Sequence, residues 1–126
     1  MSINRERPVA GDRLSLDAIH DLLRAPFRRY TLYCLYFYSN PVRLPDVAEQ
    51  VVEWEHGMPG EELLDERLYA YNDLYHSHVP KLADANVVAY SQSEDMVELA
   101  HNAAQLRPYL EQAAETDLDA NDVSML

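Results

Sequence analysis

One stretch constrains the fold more than any other, residues 73–90, which read DLYHSHVPKLADANVVAY. In its first half, Tyr75, Val79 and Leu82 recur at the spacing of one helical face. Asn86 stands where that helix must end, and after Gly it is the residue that most readily takes the left-handed conformation found there. The next four residues, Val-Val-Ala-Tyr, are β-prone. The stretch therefore predicts a helix that passes through Asn86 directly into a strand.

The residues that follow complete a hairpin. Residues 92–95 (QSED) form a polar turn, and residues 96–99 (MVEL) return as a second strand. A helix followed by Asn and a hairpin is typical of a winged helix-turn-helix, in which the hairpin is the wing. We therefore predict an α+β, mostly α fold, a winged helix-turn-helix with a two-stranded wing and an additional C-terminal helix.

The earlier elements are indicated by their ends. Ser15 is a candidate N-cap for a first helix. Pro45 suits the first turn of a later helix that Gly57 would end. A short strand is expected just before it, at residues 42–44. Asp65 is a possible N-cap of the third core helix.

The third core helix contains Pro80, which removes one backbone hydrogen bond. We therefore predict two helical segments that meet near His78 and Val79. After the wing, Asn102 is expected to cap a last helix that ends at about Ala114.

Residues 27–38 form a helix that is apolar or aromatic nearly all round. One face is a regular core stripe, so the opposite face also needs a cover. Two covers are open, a single larger core that includes the last helix, or a second copy of the chain. For the second case, the predicted dimer interface contains six side chains: Leu32, Tyr33, Tyr36, Phe37, Leu106 and Leu110.

The chain has 22 acidic and 10 basic residues, and Lys81 is its only lysine. Acidic surfaces with almost no lysine are typical of proteins from salt-saturated cytoplasm, so a halophilic source is expected. A net charge of −12 would ordinarily argue against nucleic acid as a partner. In molar salt, however, charges are screened beyond about 3 Å, so only short-range contacts count. Residues 1–43 hold seven Arg against four acids, which favours that third for anionic ligands.

Length predicts one domain with tails: a disordered segment at residues 1–13, the winged helix-turn-helix at residues 14–114 and an acidic tail at residues 115–126. No apolar run approaches the roughly 18 residues of a membrane span, and no apolar segment follows the N-terminal arginines. A cytoplasmic protein without a signal peptide is therefore expected. The single cysteine, Cys34, is expected to be a buried apolar residue.

Four segments carry a resemblance to a known family: LDAIHDLL from Leu16, RRYTLYCL from Arg28, LPDVAEQV from Leu44, and LYHSHVPKLADANVV from Leu74. Together with Val-Glu-Leu at residues 97–99, they resemble a widespread haloarchaeal winged helix-turn-helix domain family of unknown function. The resemblance covers residues 14–112. The recognition-helix segment is similar, more loosely, to repressors of the arsenical-repressor type, although Pro80 is atypical of their helix and Asn86 replaces their glycine. The resemblance implies a DNA-binding type of fold.

When the third helix is aligned with such recognition helices, several residues with hydrogen-bond donors fall at positions expected to be exposed. Side chains of these types can donate to phosphates or base edges. The acidic residues Glu94 and Asp95 make the wing poorly suited to enter a DNA groove, which is the main argument against DNA binding. The predicted DNA-binding residues are Arg67, Asn72, His76, Ser77 and Lys81 on this helix, with Arg28 and Arg29 as phosphate clamps or surface ion-pair partners.

The sequence offers little for catalysis or metal binding. His76 and His78 lie two residues apart, so on a helix their imidazoles diverge and cannot share one ion. His78 is instead expected to be a buried or capping histidine. Three glycines leave little room for a phosphate loop, and no nucleophile elbow occurs. No enzyme, metal or cofactor is predicted. The expected function is a homodimeric transcription regulator on duplex DNA, and the alternative is a winged-helix protein-interaction module without DNA binding.

Overall fold

The computed structural model describes residues 13–118, which form a mostly helical α+β fold with one small antiparallel sheet. Helix α1 spans Leu16–Leu23. As predicted, Ser15 caps it, and the Ser15 hydroxyl accepts a hydrogen bond from the Ala18 amide at 3.0 Å. This cap satisfies one of the amides that a helix N-terminus leaves unpaired. No helix within the described residues is long and apolar enough to cross a membrane.

Helix α2 spans Pro26–Tyr33 and continues as a π-helical turn, Cys34–Tyr38. Strand β1, Val42–Arg43, follows at the predicted place. Helix α3, Leu44–His56, ends where Gly57 takes the left-handed conformation with φ 69°. Glycine meets this requirement without the steric cost that a Cβ brings.

A short 3₁₀ turn, Gly60–Glu62, leads into helix α4, Leu64–Asp73. Asp65 therefore lies inside the first turn, and the expectation that Asp65 is the N-cap was wrong. Its carboxylate is still favourable there, because the N-terminus is the positive end of the helix dipole.

Helix α4 runs without interruption through a π-helical turn, Leu74–His78, into helix α5, Val79–Asp84. The two segments meet at His78 and Val79, as predicted from the proline that follows. The Val79 amide bonds five residues back to the Leu74 carbonyl. This wider turn accommodates the missing N–H of Pro80 within a continuous helical unit.

The hairpin has the predicted position, with strand β2 at Val88–Ser91 and strand β3 at Met96–Leu99. The two are antiparallel, with Val88 opposite Leu99, and β1 pairs with the other edge of β3. The strand order is therefore β1-β3-β2. Asn86 has φ 61°, which confirms the left-handed residue between helix and strand.

Helix α6 spans Ala103–Asp117 and is longer than predicted, since the expected end was Ala114. Leu118 is buried just beyond it. Asn102 precedes the helix without a side-chain cap, contrary to expectation. Its amide instead donates to the Ala85 carbonyl at 3.0 Å, which ties the end of α5 to the start of α6. Residues 1–12 and 119–126, which hold most of both predicted tails, lie outside the described residues.

The sequence left open whether the second apolar face of residues 27–38 packs on the last helix or on another copy of the chain. In the structure it packs within one copy. Tyr36 donates to the Ala103 carbonyl at the start of α6, and Phe37 stacks on Tyr33. Because α6 covers this face, four of the six predicted dimer-interface residues are core residues, and that part of the prediction was wrong. The four, each at most 2% exposed, are Leu32, Tyr33, Leu106 and Leu110.

Candidate nucleic-acid interface

The α4–α5 unit, residues 64–84, carries a stripe of exposed polar side chains on its C-terminal half. Asn72, His76, Ser77 and Lys81 are all exposed, and they follow one another along the outer surface of this helical unit. We call these four residues the polar stripe. Each can donate a hydrogen bond, His76 through whichever ring nitrogen is protonated. Four of the seven predicted DNA-binding residues are thus exposed on the same helical unit.

Two acids on the elements around the stripe, Asp73 and Asp95, are held by internal partners. Asp73 accepts from His78, with 3.0 Å between Oδ2 and Nε2. Asp95, in the hairpin turn, accepts from the hydroxyls of Tyr71 and Tyr90. Asp95 also has φ 54° and its carbonyl accepts from the Leu44 amide. The exposed carboxylate of the hairpin turn is therefore Glu94, and Asp95 is a structural residue.

His78 links Asp73 of the α4–α5 unit to Arg28 of α2. The Arg28 guanidinium approaches His78 Nδ1 at 3.1 Å, and since a guanidinium only donates, Nδ1 is the acceptor. The proton of the neutral imidazole is then on Nε2, facing Asp73. Burial lowers the pKa of His78, the nearby Asp73 raises it and the Arg28 charge lowers it further, with a net lowering. His78, expected to be a buried or capping histidine, is thus partly buried and held between Arg28 and Asp73.

Arg28 and Arg29 are not phosphate clamps in this structure, which corrects the prediction. Arg28 is 7% exposed and donates to the carbonyls of Asp21 and Leu22 at the end of α1. Arg29 donates to the Leu23 carbonyl and pairs with Asp117 at 2.6 Å. Both guanidinium groups therefore satisfy carbonyls that the α1 terminus leaves unpaired.

The two remaining predicted cations are in surface ion pairs. Lys81 Nζ lies 3.1 Å from Asp21 Oδ2, and both side chains are more than 40% exposed. This hydrogen bond from Lys81 lowers the pKa of Asp21. Arg67 lies 3.5 Å from Glu49. Exposed pairs of this kind contribute little to stability, so Lys81 can exchange its partner for a phosphate.

An aromatic group connects the α4–α5 unit to the hairpin. The rings of Tyr71 and Tyr75 are stacked, and Tyr75 meets Tyr90 of β2 edge-to-face. Gln92 of the hairpin turn donates to the Tyr75 hydroxyl at 3.1 Å. Sequence reasoning missed this group because Tyr71 and Asp95 are 24 positions apart. Its only signal in the sequence was the pair Tyr71 and Tyr75, which are one helical turn apart, followed by Tyr90 in the β-prone run.

Residues 13–118 contain no group of three or more His, Cys, Asp or Glu side chains placed to hold a metal ion. The two histidines considered for metal binding separate as expected, since His78 points to Arg28 while His76 is exposed. Cys34 is 1% exposed, and burial raises the pKa of its thiol. A buried neutral thiol is a poor nucleophile and metal ligand.

A family model described as a domain of unknown function, DUF7344, matches residues 20–98. The chain belongs to the DUF7344 family. No curated protein matches the chain, and no solved structure matches it.

The matched DUF7344 region extends from within α1 to β3 and includes the whole polar stripe, together with Tyr71, His78 and Asp95. Helix α6 lies beyond it, although Arg29 in the matched region binds Asp117 at the end of that helix. The candidate interface is therefore contained in the DUF7344 region, while the packing of α2 also depends on residues outside it.

Proposed function

We propose that this DUF7344 protein is a winged helix-turn-helix regulator that binds duplex DNA. In this proposal α3 and the α4–α5 unit are the helix pair, and the β2–β3 hairpin is the wing. The observation that carries it is the polar stripe on residues 64–84, next to a hairpin whose Asp95 is turned inward. Side chains such as Asn72 and Lys81 suit base edges and phosphates, respectively.

Composition supports a setting for this activity. The acidic, lysine-poor chain fits a cytoplasm with molar salt, where long-range repulsion between the protein and DNA is screened. We therefore propose a cytoplasmic regulator of a halophilic archaeon. Under these conditions, affinity depends on short-range contacts from the polar stripe more than on net charge.

Pairing of two copies is part of the proposal, because two-fold dimers match DNA half-sites on successive turns. The buried residues of α2 and α6 are not available for such an interface. A different apolar group supports it, since Tyr38 is 40% and Met58 46% exposed beside the half-buried Trp54. Light scattering should then detect a dimer that Met58→Glu dissociates, and a monomer at every concentration would contradict this part.

A winged-helix interaction module without DNA binding is the second candidate. The specific observation in its favour is that Arg28 and Arg29 are both occupied by the α1 terminus. With Arg67 also paired to Glu49, the surface offers few unpaired cations to phosphates, although phosphate contacts supply much of ordinary DNA affinity.

The two candidates are separated by selection from random duplexes in molar potassium chloride, followed by crosslinking and sequencing of bound DNA in the cells of origin. The first predicts a shared inverted repeat at a few promoters. The double variant His76→Ala with Lys81→Ala should then lower affinity for that duplex about thirtyfold or more, because two contacts of at least about 1 kcal/mol each are lost and 1.4 kcal/mol corresponds to tenfold.

Arg107→Gln is the matched control, because Arg107 is an exposed cation on α6 that pairs with Glu111 in the way that Lys81 pairs with Asp21. It should bind the duplex like the wild type. Equal affinity of the wild type and the double variant, or no enriched duplex from well-folded protein, would reject DNA binding through the polar stripe and favour the interaction module.

A further inference from the structure

The N-terminal half of α4 differs in character from the polar stripe. Seven large hydrophobic side chains are exposed in the described chain. The three most exposed all lie in the first six residues of this helix: Leu64 at 64%, Leu68 at 62% and Tyr69 at 70%. Isolated exposed apolar residues need no explanation, but a group of them marks an interaction site. We call these three residues, with the acids beside them, the Leu68 surface.

Carboxylates lie beside this apolar group. Asp65 and Glu66 are exposed on the same two turns, and the 3₁₀ turn just before the helix exposes two more, Glu61 and Glu62. A shallow depression next to Tyr69 adds one further acid, Glu55, and the Phe27 ring; its residues are Phe27, Glu55, His56, Asp65, Glu66 and Tyr69. Arg67, the single cation of residues 60–69, is paired with Glu49 of α3.

Charge identifies what can cover such a surface. A second copy of the chain would bring the same carboxylates, Asp65 and Glu66, against one another, because a two-fold interface uses one patch twice. Duplex DNA would bring phosphates against them. A segment with apolar anchors flanked by Arg or Lys satisfies both features, since its anchors cover Leu68 and Tyr69 while its cations meet the surrounding acids.

We propose that the Leu68 surface is a docking site for a basic segment of another protein, one that inserts apolar side chains between Leu64, Leu68 and Tyr69. This site borders the polar stripe, whose first residue, Asn72, lies one helical turn beyond Leu68 and Tyr69, but it does not depend on DNA binding. It is also present if the chain is an interaction module, so its test can fail or succeed independently of the DNA experiment.

The probe is a fluorescent amphipathic peptide of leucine and lysine, measured by anisotropy with the full chain. One comparison peptide has serine in place of each leucine, and another has glutamate in place of each lysine. The leucine–lysine peptide should bind at least tenfold more tightly than either. Because salt screens the charges, raising it to molar concentration should weaken binding while preserving the preference for leucine.

The variant Leu68→Ser with Tyr69→Ser removes two anchors from side chains that are mostly exposed, so the fold is expected to tolerate it. It should weaken peptide binding at least tenfold. Leu16→Ser is the matched control, because Leu16 is an exposed leucine on α1, 55% accessible, and it should bind as the wild type does. Amide resonances of residues 61–69 should shift most when peptide is added to the wild type.

Two results would overturn the proposal. One is equal peptide binding by the wild type and the double serine variant, or resonance shifts centred elsewhere, which would mean that the peptide binds the acidic protein without using this surface. The other is a dimer in light scattering that the double serine variant dissociates, since a second copy would then be the occupant of the Leu68 surface.

Discussion

At the scale of single residues, Asp95 changes how the hairpin is understood. From the sequence it is one of two acids that make the wing repel DNA. In the structure its carboxylate accepts two tyrosine hydroxyls, and its carbonyl accepts the Leu44 amide. Hydrogen bonds to an ionised acceptor are stronger than those between neutral groups. Asp95 therefore fixes the hairpin turn against α4 and the start of α3.

The first prediction concerns this residue. Asp95→Ala should lower the free energy of unfolding by about 2–3 kcal/mol. Two tyrosine hydroxyls lose their acceptor, and alanine is strained in the left-handed conformation that this position requires, with φ 54°. Asp95→Asn keeps one acceptor oxygen and tolerates this conformation, so about 1 kcal/mol is expected. Urea unfolding measures both. Glu94→Ala, the neighbouring exposed acid, should change stability by less than about 0.5 kcal/mol.

The second prediction concerns pH and His78. Its pKa is lowered in the folded state, mainly by burial, so below the unfolded value of about 6.5 the unfolded chain binds more protons. The stability contributed by neutral His78 should be fully present above about pH 6.5, the pKa of histidine in an unfolded chain. It should be lost as the pH falls toward the lower pKa of the folded state. Protonation would place a hydrogen on Nδ1, which faces Arg28, while Asp73 still accepts from Nε2.

Urea unfolding between about pH 7.5 and 5 measures this loss. His78→Gln should be less stable than the wild type at pH 7 and should lose less stability across that interval. His76→Gln is the control, since it removes an exposed histidine of the same helical turn. If the wild type and His78→Gln have parallel pH profiles, His78 does not carry the effect.

At the scale of elements, the sequence predicted what local chemistry determines. The Ser15 cap, the Gly57 end, the left-handed Asn86 and the division of the third helix before Pro80 each follow from one residue and its neighbours. The roles of Arg28 and Arg29 could not be predicted in this way. Their acceptors are backbone carbonyls of α1, exposed only because α1 ends at Leu23, and a carboxylate 88 positions away.

The same limit explains the dimer prediction. Amphipathic patterning shows that a face of α2 is covered but does not identify the cover, because the contacting residues of α6 are distant in sequence. Tyr36 meets Ala103 across 67 positions, and Tyr33 meets Asp117 across 84. The exposure of the polar stripe was easier to predict, since its four residues lie on one helical unit.

The third prediction tests the junction between helix and strand. Asn86 has φ 61°, and its backbone joins two elements, since its amide donates to Ala83 and its carbonyl accepts from Asn102. Asn86→Ala should lower the unfolding free energy by about 1 kcal/mol, because alanine is strained in this conformation, whereas Asn86→Gly should be nearly neutral. Equal effects of the two variants in urea unfolding would mean that the side chain, not the backbone, matters here.

At the scale of the whole molecule, the described chain is closed by contacts between its first third and its last helix. Arg29 and Tyr33 of α2 both bind the Asp117 carboxylate, and this hydrogen bond raises the pKa of Arg29. Leu118, 3% exposed, packs into the core beside it. The folded unit therefore extends at least to residue 118, beyond the predicted boundary at residue 114 and beyond the family match at residue 98.

The fourth prediction follows from this boundary. A chain that ends at residue 114 should be less stable than one that ends at residue 118 by about 3 kcal/mol. Burial of a leucine contributes about 1.5–3 kcal/mol, and Arg29, 20% exposed at its side chain, would be left largely desolvated without its carboxylate. Urea unfolding of both chains, with the full chain as reference, measures the difference.

Two single variants of the full chain separate the causes. Asp117→Asn weakens the contact with Arg29 and Tyr33 but keeps Leu118, whereas Leu118→Ala keeps the ion pair and removes apolar burial. Each should account for part of the loss seen on truncation, and because the two residues are neighbours their effects need not add. If the chain ending at residue 114 is as stable as the one ending at residue 118, the contacts of Asp117 and Leu118 do not stabilise the fold, and the domain ends where the sequence predicted.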